Sequence, residues 1–173
     1  MARETEDFTA VFQANYAGLC RFLECMMGGR VAVVQDIAQE SFMRLYKLGP
    51  GALPLGEARF WLFRVARNLA LNEISRRETR TRFLARVREL FRQQQPDPAK
   101  NLELEEQKQL LLALLKSLPE HQRAALLLRE QEEMSYREIA RVLNISESKV
   151  KVDIFRARSR LRAGLNELIN ARP

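Results

Sequence analysis

SYREIARVLNISESKVKVDIFRAR, residues 135–158, is the stretch that decides how the rest of the chain is read. Ser135 followed by Glu138 forms a capping box, so a helix starts at Tyr136 and buries Tyr136, Ile139, Ala140 and Leu143. Asn144 to Ser146 makes a short turn with Ile145 tucked inward. Ser146 caps a second helix, and Glu147 sets its charge against the helix amides. On that helix Val150, Ile154, Ala157 and Leu161 line one face, while Ser148, Lys151, Val152, Phe155, Arg156 and Ser159 occupy the other, with Lys149 and Arg160 near one edge. A short helix, a short turn and a second helix with a basic outer face have the sequence form of a helix-turn-helix. Small Ala140 lets the two helices cross closely. The competing reading is an ordinary helical hairpin with a solvated charged face.

The chemistry of that outer face divides in two. Lys149, Lys151 and Arg156, with Arg158, Arg160 and Arg162 behind them, supply salt-sensitive attraction to phosphates. Ser148, Lys151, Val152 and Phe155 are placed to meet base edges, the last two through thymine methyl groups. Phe155 has a second option, packing on a neighbouring helix or a protein partner.

The whole chain agrees with a polyanionic partner. Its 173 residues carry 29 basic and 22 acidic side chains, a net charge of +7. The charge is blocked: −2 over residues 1–58, +7 over 59–92, −3 over 93–134 and +5 over 135–173. No run of about 18 apolar residues and no apolar signal segment is present, which predicts a cytoplasmic protein that neither spans a membrane nor is exported. Cys20 and Cys25 lie roughly 140 degrees apart around a helix, which suits buried thiols better than a disulfide or a shared metal. With His121 as the only histidine and no metal-type cluster, neither a catalytic site nor a cofactor or metal site is expected.

Helical periodicity dominates upstream as well. Phe8, Val11, Phe12, Tyr16, Leu19, Phe22 and Leu23 form an inner face that Gly28 and Gly29 end. A second helix covers 31–48, GPGALPLG at 49–56 is a loop, and a third helix covers 59–77. The pattern weakens from Glu78 to Lys100, and QQQPDP at 93–98 reads as an exposed connection. LELEEQKQLLLALLKSL and PEHQRAALLLREQ follow as two further helices, with Pro119 suited to the first turn of the latter. The expected fold is all-α: two small helical domains, 1–80 and 106–173, joined by a flexible linker at 81–105, the second containing the helix-turn-helix.

Helix 59–77 has Leu62, Val65, Ala66 and Leu69 available to face inward, while Trp61, Arg64, Asn68 and Asn72 share another side. An aromatic and amides beside ten arginines in segment 59–92 offer stacking, base-edge hydrogen bonds and a phosphate track, which is what single-stranded DNA needs. Trp61 in the core with arginines in water is the alternative. On helix 31–48, Val34, Ile37, Ala38, Ser41 and Leu45 suit the core and leave Asp36, Gln39, Glu40, Met43 and Lys47 at or beyond its edges.

Residues 117–165 resemble the C-terminal domain of bacterial sigma-70-type factors of the extracytoplasmic-function group. QDIAQESFMRLYK (35–47) and RFWLFRVARNLALNEISRR (59–77) resemble the most characteristic parts of that group's N-terminal domain. The resemblance implies a dissociable subunit that binds core RNA polymerase and directs promoter-specific initiation, without catalysis of its own. Asp36, Gln39, Glu40 and Phe42 fall on the motif that docks against the clamp helices of the polymerase largest subunit. The C-terminal domain is expected at the flap region of the second-largest subunit. Trp61, Arg64, Asn68, Asn72, Arg76 and Arg77 are implied in recognising and melting the downstream promoter element. Ser148, Lys149, Lys151, Val152, Phe155 and Arg156 are implied at the upstream element, about three helical turns away. An anti-sigma partner is implied too, with exposed Val152 and Phe155 as natural anchors. No small-molecule substrate is expected. The recognition helix departs from the group's usual Gly-Thr-Val-Lys-Ser-Arg at Ser148, Lys149, Val152 and Asp153, which leaves fewer donors for base reading. A homodimeric helix-turn-helix regulator that binds a palindrome without polymerase is one competing function, and an interaction module that does not read DNA is another.

Overall fold

A computed structural model describes residues 2–29, 31–49, 52–90 and 103–170, and among the described residues there are seven helices. In order they are α1 (Ala2–Met27), α2 (Val31–Leu48), α3 (Leu55–Leu90), α4 (Glu103–Ser117), α5 (Glu120–Glu130), α6 (Tyr136–Leu143) and α7 (Glu147–Asn170). Among the described residues there is no strand, and no helix is long and apolar enough to cross a membrane. The architecture is the expected all-α one, with α1–α3 forming one cluster and α4–α7 a second.

Local sequence sets the ends. Gly28 and Gly29 both adopt positive φ, and the Gly29 amide donates to the Glu24 carbonyl at 3.0 Å, closing α1 with a glycine cap that other residues reach only at a cost. Pro54 precedes α3, and the Glu57 and Ala58 amides of its first turn donate to the Pro54 carbonyl. Pro119 is the N-cap of α5, one position before the helix begins.

α3 runs from Leu55 to Leu90 rather than over 59–77. Residues 78–90 lack a clean apolar stripe, yet contain no glycine or proline and are rich in Arg, Glu and Leu. Propensity therefore carries the helix on where core periodicity has ended. Part of the stretch expected as linker is thus helical, and QQQPDP at 93–98 lies outside the described residues.

In the first cluster Leu19, Phe22, Leu23 and Met26 of α1 pack against Val34, Ile37, Ala38 and Phe42 of α2 and Leu62, Phe63, Ala66 and Ala70 of α3. The Phe22 and Phe63 rings meet edge to face at 5.4 Å. The apolar cluster continues into α4–α7 through Leu115, Leu118, Ala124–Leu128, Met134, Ile139, Val142, Leu143, Val150, Ile154 and Ala157. Each large side chain buried there contributes about 1.5–3 kcal/mol, against about 0–1 kcal/mol for an exposed ion pair, so apolar burial holds each cluster together.

The clusters also touch: α1 packs on α4 and α5, and α3 packs on α6. This contact gives Arg123 its setting. It is buried on α5 and donates to the Met26 carbonyl at 2.6 Å, and to the carbonyls of Leu118 (3.1 Å) and Lys116 (3.3 Å). Desolvation pushes its guanidinium pKa down.

Candidate nucleic-acid interface

The helix-turn-helix is built as its capping residues dictate. Ser135 Oγ accepts from the Glu138 amide at 3.3 Å, and Glu138 Oε2 accepts from the Ser135 amide at 2.7 Å. That amide and the Ser135 hydroxyl hold the Glu138 carboxyl below the usual carboxylate range. Asn144 ends α6 in the left-handed region at φ 55°, which Asn tolerates better than most residues. Ser146 then caps α7 by accepting from the Lys149 amide at 3.2 Å.

The buried face of α6 is Ile139, Val142 and Leu143. Tyr136 and Ala140, expected in the core, are only partly buried. The Tyr136 ring stays near the surface beneath two cations, Arg129 at 5.3 Å and Lys151 at 5.8 Å. On α7, Val150, Ile154 and Ala157 are buried as expected, and Leu161 partly so.

Asp153 joins that buried face at 0 % exposure, a placement its polarity concealed. Its carboxylate accepts from Lys149 Nζ at 3.0 and 3.2 Å and lies 3.7 Å from His121 Nε2 of α5. Lys149 is therefore committed to an internal pair, although half its side chain remains in water. Ser148, Lys151, Val152, Phe155 and Arg156 are all exposed, Phe155 at 72 % and Val152 at 45 %. The outward face of α7 thus joins two cations to an apolar patch.

On α3 the buried residues are Leu62, Phe63, Ala66 and Ala70, while Val65 and Leu69 are half-buried. Trp61 is partly buried and packs against the core, so only part of its ring is open to a ligand. Asn68, Asn72 and Arg76 are exposed, and Arg77 is partly buried against Glu73 at 3.0 Å. Arg64 is exposed and donates to the Arg141 carbonyl of α6.

Sequence reasoning missed the neighbouring charges. Arg67 makes a bidentate pair with Glu120 at 2.6 and 2.7 Å, and Arg59 donates to the Glu132 carbonyl at 2.7 Å and its carboxylate at 3.1 Å. Arg141 pairs with Glu57 while its guanidinium sits 5.1 Å over the Phe60 ring. The alternation of basic and acidic blocks was the available signal.

Asp36, Gln39, Glu40 and Met43 are exposed along one side of α2. Glu40 accepts from Arg44 Nε at 2.7 Å, and that bond holds its carboxyl below the usual range. Phe42 departs from the expectation of a surface apolar contact. It is only 3 % exposed, surrounded by the rings of Phe8, Phe12 and Tyr16 at 4.8–6.5 Å. The aromatic ladder of α1 needs a ring opposite it, and Phe42 supplies it. The apolar groups left on this surface are Met43 and Tyr46, 45 % and 65 % exposed.

Cys20 and Cys25 are unpaired and partly buried, and Gln131 Nε2 donates to the Cys25 sulfur at 3.2 Å. Burial pushes both thiols up. No three His, Cys, Asp or Glu side chains group as metal ligands among the described residues.

Comparison with known proteins adds the lineage. The profile of Sigma-70 region 2 matches residues 11–80 and that of Sigma-70, region 4, matches residues 108–161. The chain is 30 % identical over 161 residues to the ECF RNA polymerase sigma factor SigM of Bacillus subtilis, covering 92 % of this chain and 96 % of that one. It is 33 % identical over 146 residues to the RNA polymerase sigma-H factor of Pseudomonas aeruginosa, 78 % of this chain and 74 % of that one. Among solved structures, sigma factor RpoE in complex with the anti-sigma factor NepR from Bartonella quintana shares the fold. Its TM-score is 0.65 at 22 % identity, over 93 % of this chain and 98 % of that one. With both regions matched in order and one relative covered almost end to end, the chain belongs to the extracytoplasmic-function (ECF) subfamily of the sigma-70 family.

Proposed function

We propose that this chain works as a dissociable specificity subunit that joins core RNA polymerase, reads an upstream promoter element with α7 and opens a downstream element with α3. The observation that carries this reading is the match to regions 2 and 4 in order, each placing an exposed polar helix face on an apolar core. The polymerase supplies the chemistry.

Each surface has a role suited to its chemistry. Asp36, Gln39 and Glu40, with Met43 and Tyr46 beside them, dock on the clamp helices of the polymerase largest subunit. Carboxylates answer basic partner residues there and exposed apolar area provides the anchor. Phe42 backs this surface from the core. The α4–α7 cluster meets the flap region of the second-largest subunit.

At the downstream element, Asn68 and Asn72 hydrogen-bond unpaired bases, the open part of the Trp61 ring stacks, and Arg64, Arg76 and Arg77 hold phosphates. Unstacking costs a few kcal/mol per flipped base, which base capture and phosphate contacts offset. At the upstream element, Val152 and Phe155 meet thymine methyls, Ser148 and Lys151 meet base edges, and Arg156 holds phosphate, while Lys149 contributes mainly through the helix it braces. Regulation by an anti-sigma protein is supported by the shared fold with RpoE, whose structure holds NepR. Val152 and Phe155 offer it an apolar anchor.

The test is promoter opening. Trp61→Ala and Asn68→Ala should each abolish reactivity of downstream-element thymines toward permanganate while binding to core polymerase survives. Normal opening by either variant would remove α3 from this role.

A further inference from the structure

The arginines of α3 closest to the second cluster are not idle. Arg67 meets Glu120 through two parallel hydrogen bonds, the geometry with which a guanidinium also holds a phosphate. Arg59 meets the carbonyl and carboxylate of Glu132. Both partners come from the acidic block, 93–134, and both arginines from the most basic one, 59–92. Arg64, already assigned to DNA, spends its donor on the Arg141 carbonyl.

We propose that Arg59 and Arg67 are further phosphate-binding residues for single-stranded DNA, and that Glu132 and Glu120 occupy them in the closed chain as internal stand-ins for phosphate. The proposal rests on the assignment of α3 to the opened promoter strand, and deepens it.

Geometry requires the exchange. α3 packs on α6 and α6 on α7, which at about 8–10 Å per helix pair puts the axes of α3 and α7 about 20 Å apart. Promoter elements about three helical turns apart are separated by about 100 Å. The closed chain cannot reach both, so the α3–α6 contact and the packing of α1 on α4 and α5 must part, and parting frees Arg59, Arg64 and Arg67 together.

Glu132 shows that the latch is built to release. Its side chain is 8 % exposed, yet Oε1 finds no hydrogen-bond partner, so its desolvation is incompletely compensated. It lies against Gly18 of α1, where an added Cβ would come within 2.8 Å of both carboxylate oxygens and push this flexible side-chain end off its site. Gly18→Ala is therefore a charge-neutral way to displace the carboxylate from Arg59, and inside a helix alanine is otherwise the better residue.

The experiment measures binding of fluorescent single-stranded oligo(dT) to the full chain by anisotropy across a salt series, without polymerase, alongside the radius of gyration from X-ray scattering. Gly18→Ala should tighten binding about threefold at low salt, and Glu120→Gln with Glu132→Gln about tenfold. Both should expand the chain, whereas Glu133→Gln with Glu167→Gln, equal in charge to the double Glu120 and Glu132 variant, should leave the radius unchanged and tighten binding less. Arg59→Gln with Arg67→Gln should weaken binding and lower the salt slope by about 1.4. If Trp61→Ala weakens binding but neither opened variant tightens it beyond the charge control, the latch is overturned and the α3 assignment stands. If Trp61→Ala binds like wild type, the α3 assignment fails and takes the latch with it.

Discussion

Replacing Arg123 with methionine tests how the two clusters are tied. The guanidinium is buried and makes its closest hydrogen bond, 2.6 Å, to the Met26 carbonyl at the end of α1, with Leu118 and Lys116 carbonyls at 3.1 and 3.3 Å. A hydrogen bond to a charged group contributes about 1.5–3 kcal/mol net, so the two shorter bonds, of which only that to Met26 crosses between the clusters, contribute about 3–6 kcal/mol. Against this, methionine relieves the desolvation of a buried charge and of an Nε that has no partner, and keeps most of the buried volume. The balance is a loss of about 3 kcal/mol, which at about 3 °C per kcal/mol for a chain of this size lowers Tm by about 9 °C. Thermal unfolding followed by circular dichroism reads this directly. A fall below about 2 °C, or a rise, would mean that the buried charge costs as much as its bonds return, and the tie would carry no net stability.

Acid should loosen the helix-turn-helix through its cap. The folded Glu138 carboxyl lies below its ordinary value, so its contribution is fully present above about pH 4.5 and is lost as pH falls through the depressed folded value. Glu138→Gln should flatten that acid limb of a Tm-against-pH curve, and an unchanged limb would deny the cap any such role. Phe42→Ala should destabilise by about 3–5 kcal/mol through the cavity it leaves among Phe8, Phe12 and Tyr16, whereas Met43→Ala should leave Tm within about 1 °C and weaken core-polymerase binding. Equal effects of the two on Tm would contradict the burial assigned to Phe42. Cys20 and Cys25, with thiols pushed up by burial, should react with iodoacetamide at pH 8 more slowly than a free cysteine. Alkylation at the free rate would show that both are open to redox chemistry.

The parts of the fold written in short-range pattern were legible in the sequence. Capping, turn and core spacing of the helix-turn-helix lie within residues 135–158, and the structure keeps Ser135, Glu138, Ser146, Val150 and Ile154 in the roles their spacing implies. Errors arose where a distant partner decides. Tyr136 has helical core spacing, but cations from α5 and α7 hold its ring near the surface. Phe42 sits in a motif associated with docking, and only the facing rings of α1 reveal that it belongs to the core. Asp153 looked like a missing DNA donor until His121 and Lys149 gave its carboxylate a place inside. The cross-cluster pairs Arg67–Glu120, Arg59–Glu132 and Arg141–Glu57 join positions 53, 73 and 84 residues apart. Local periodicity carries no record of such pairs, although the alternating charge blocks foreshadowed the attraction.

The most direct test of the central claim is transcription by purified core polymerase on genomic fragments, with the 5′ ends sequenced. Discrete starts should appear only when this chain is added, preceded by two shared elements at fixed spacing, and be lost with Trp61→Ala. Starts identical with and without the chain, while core binding is verified, would contradict it.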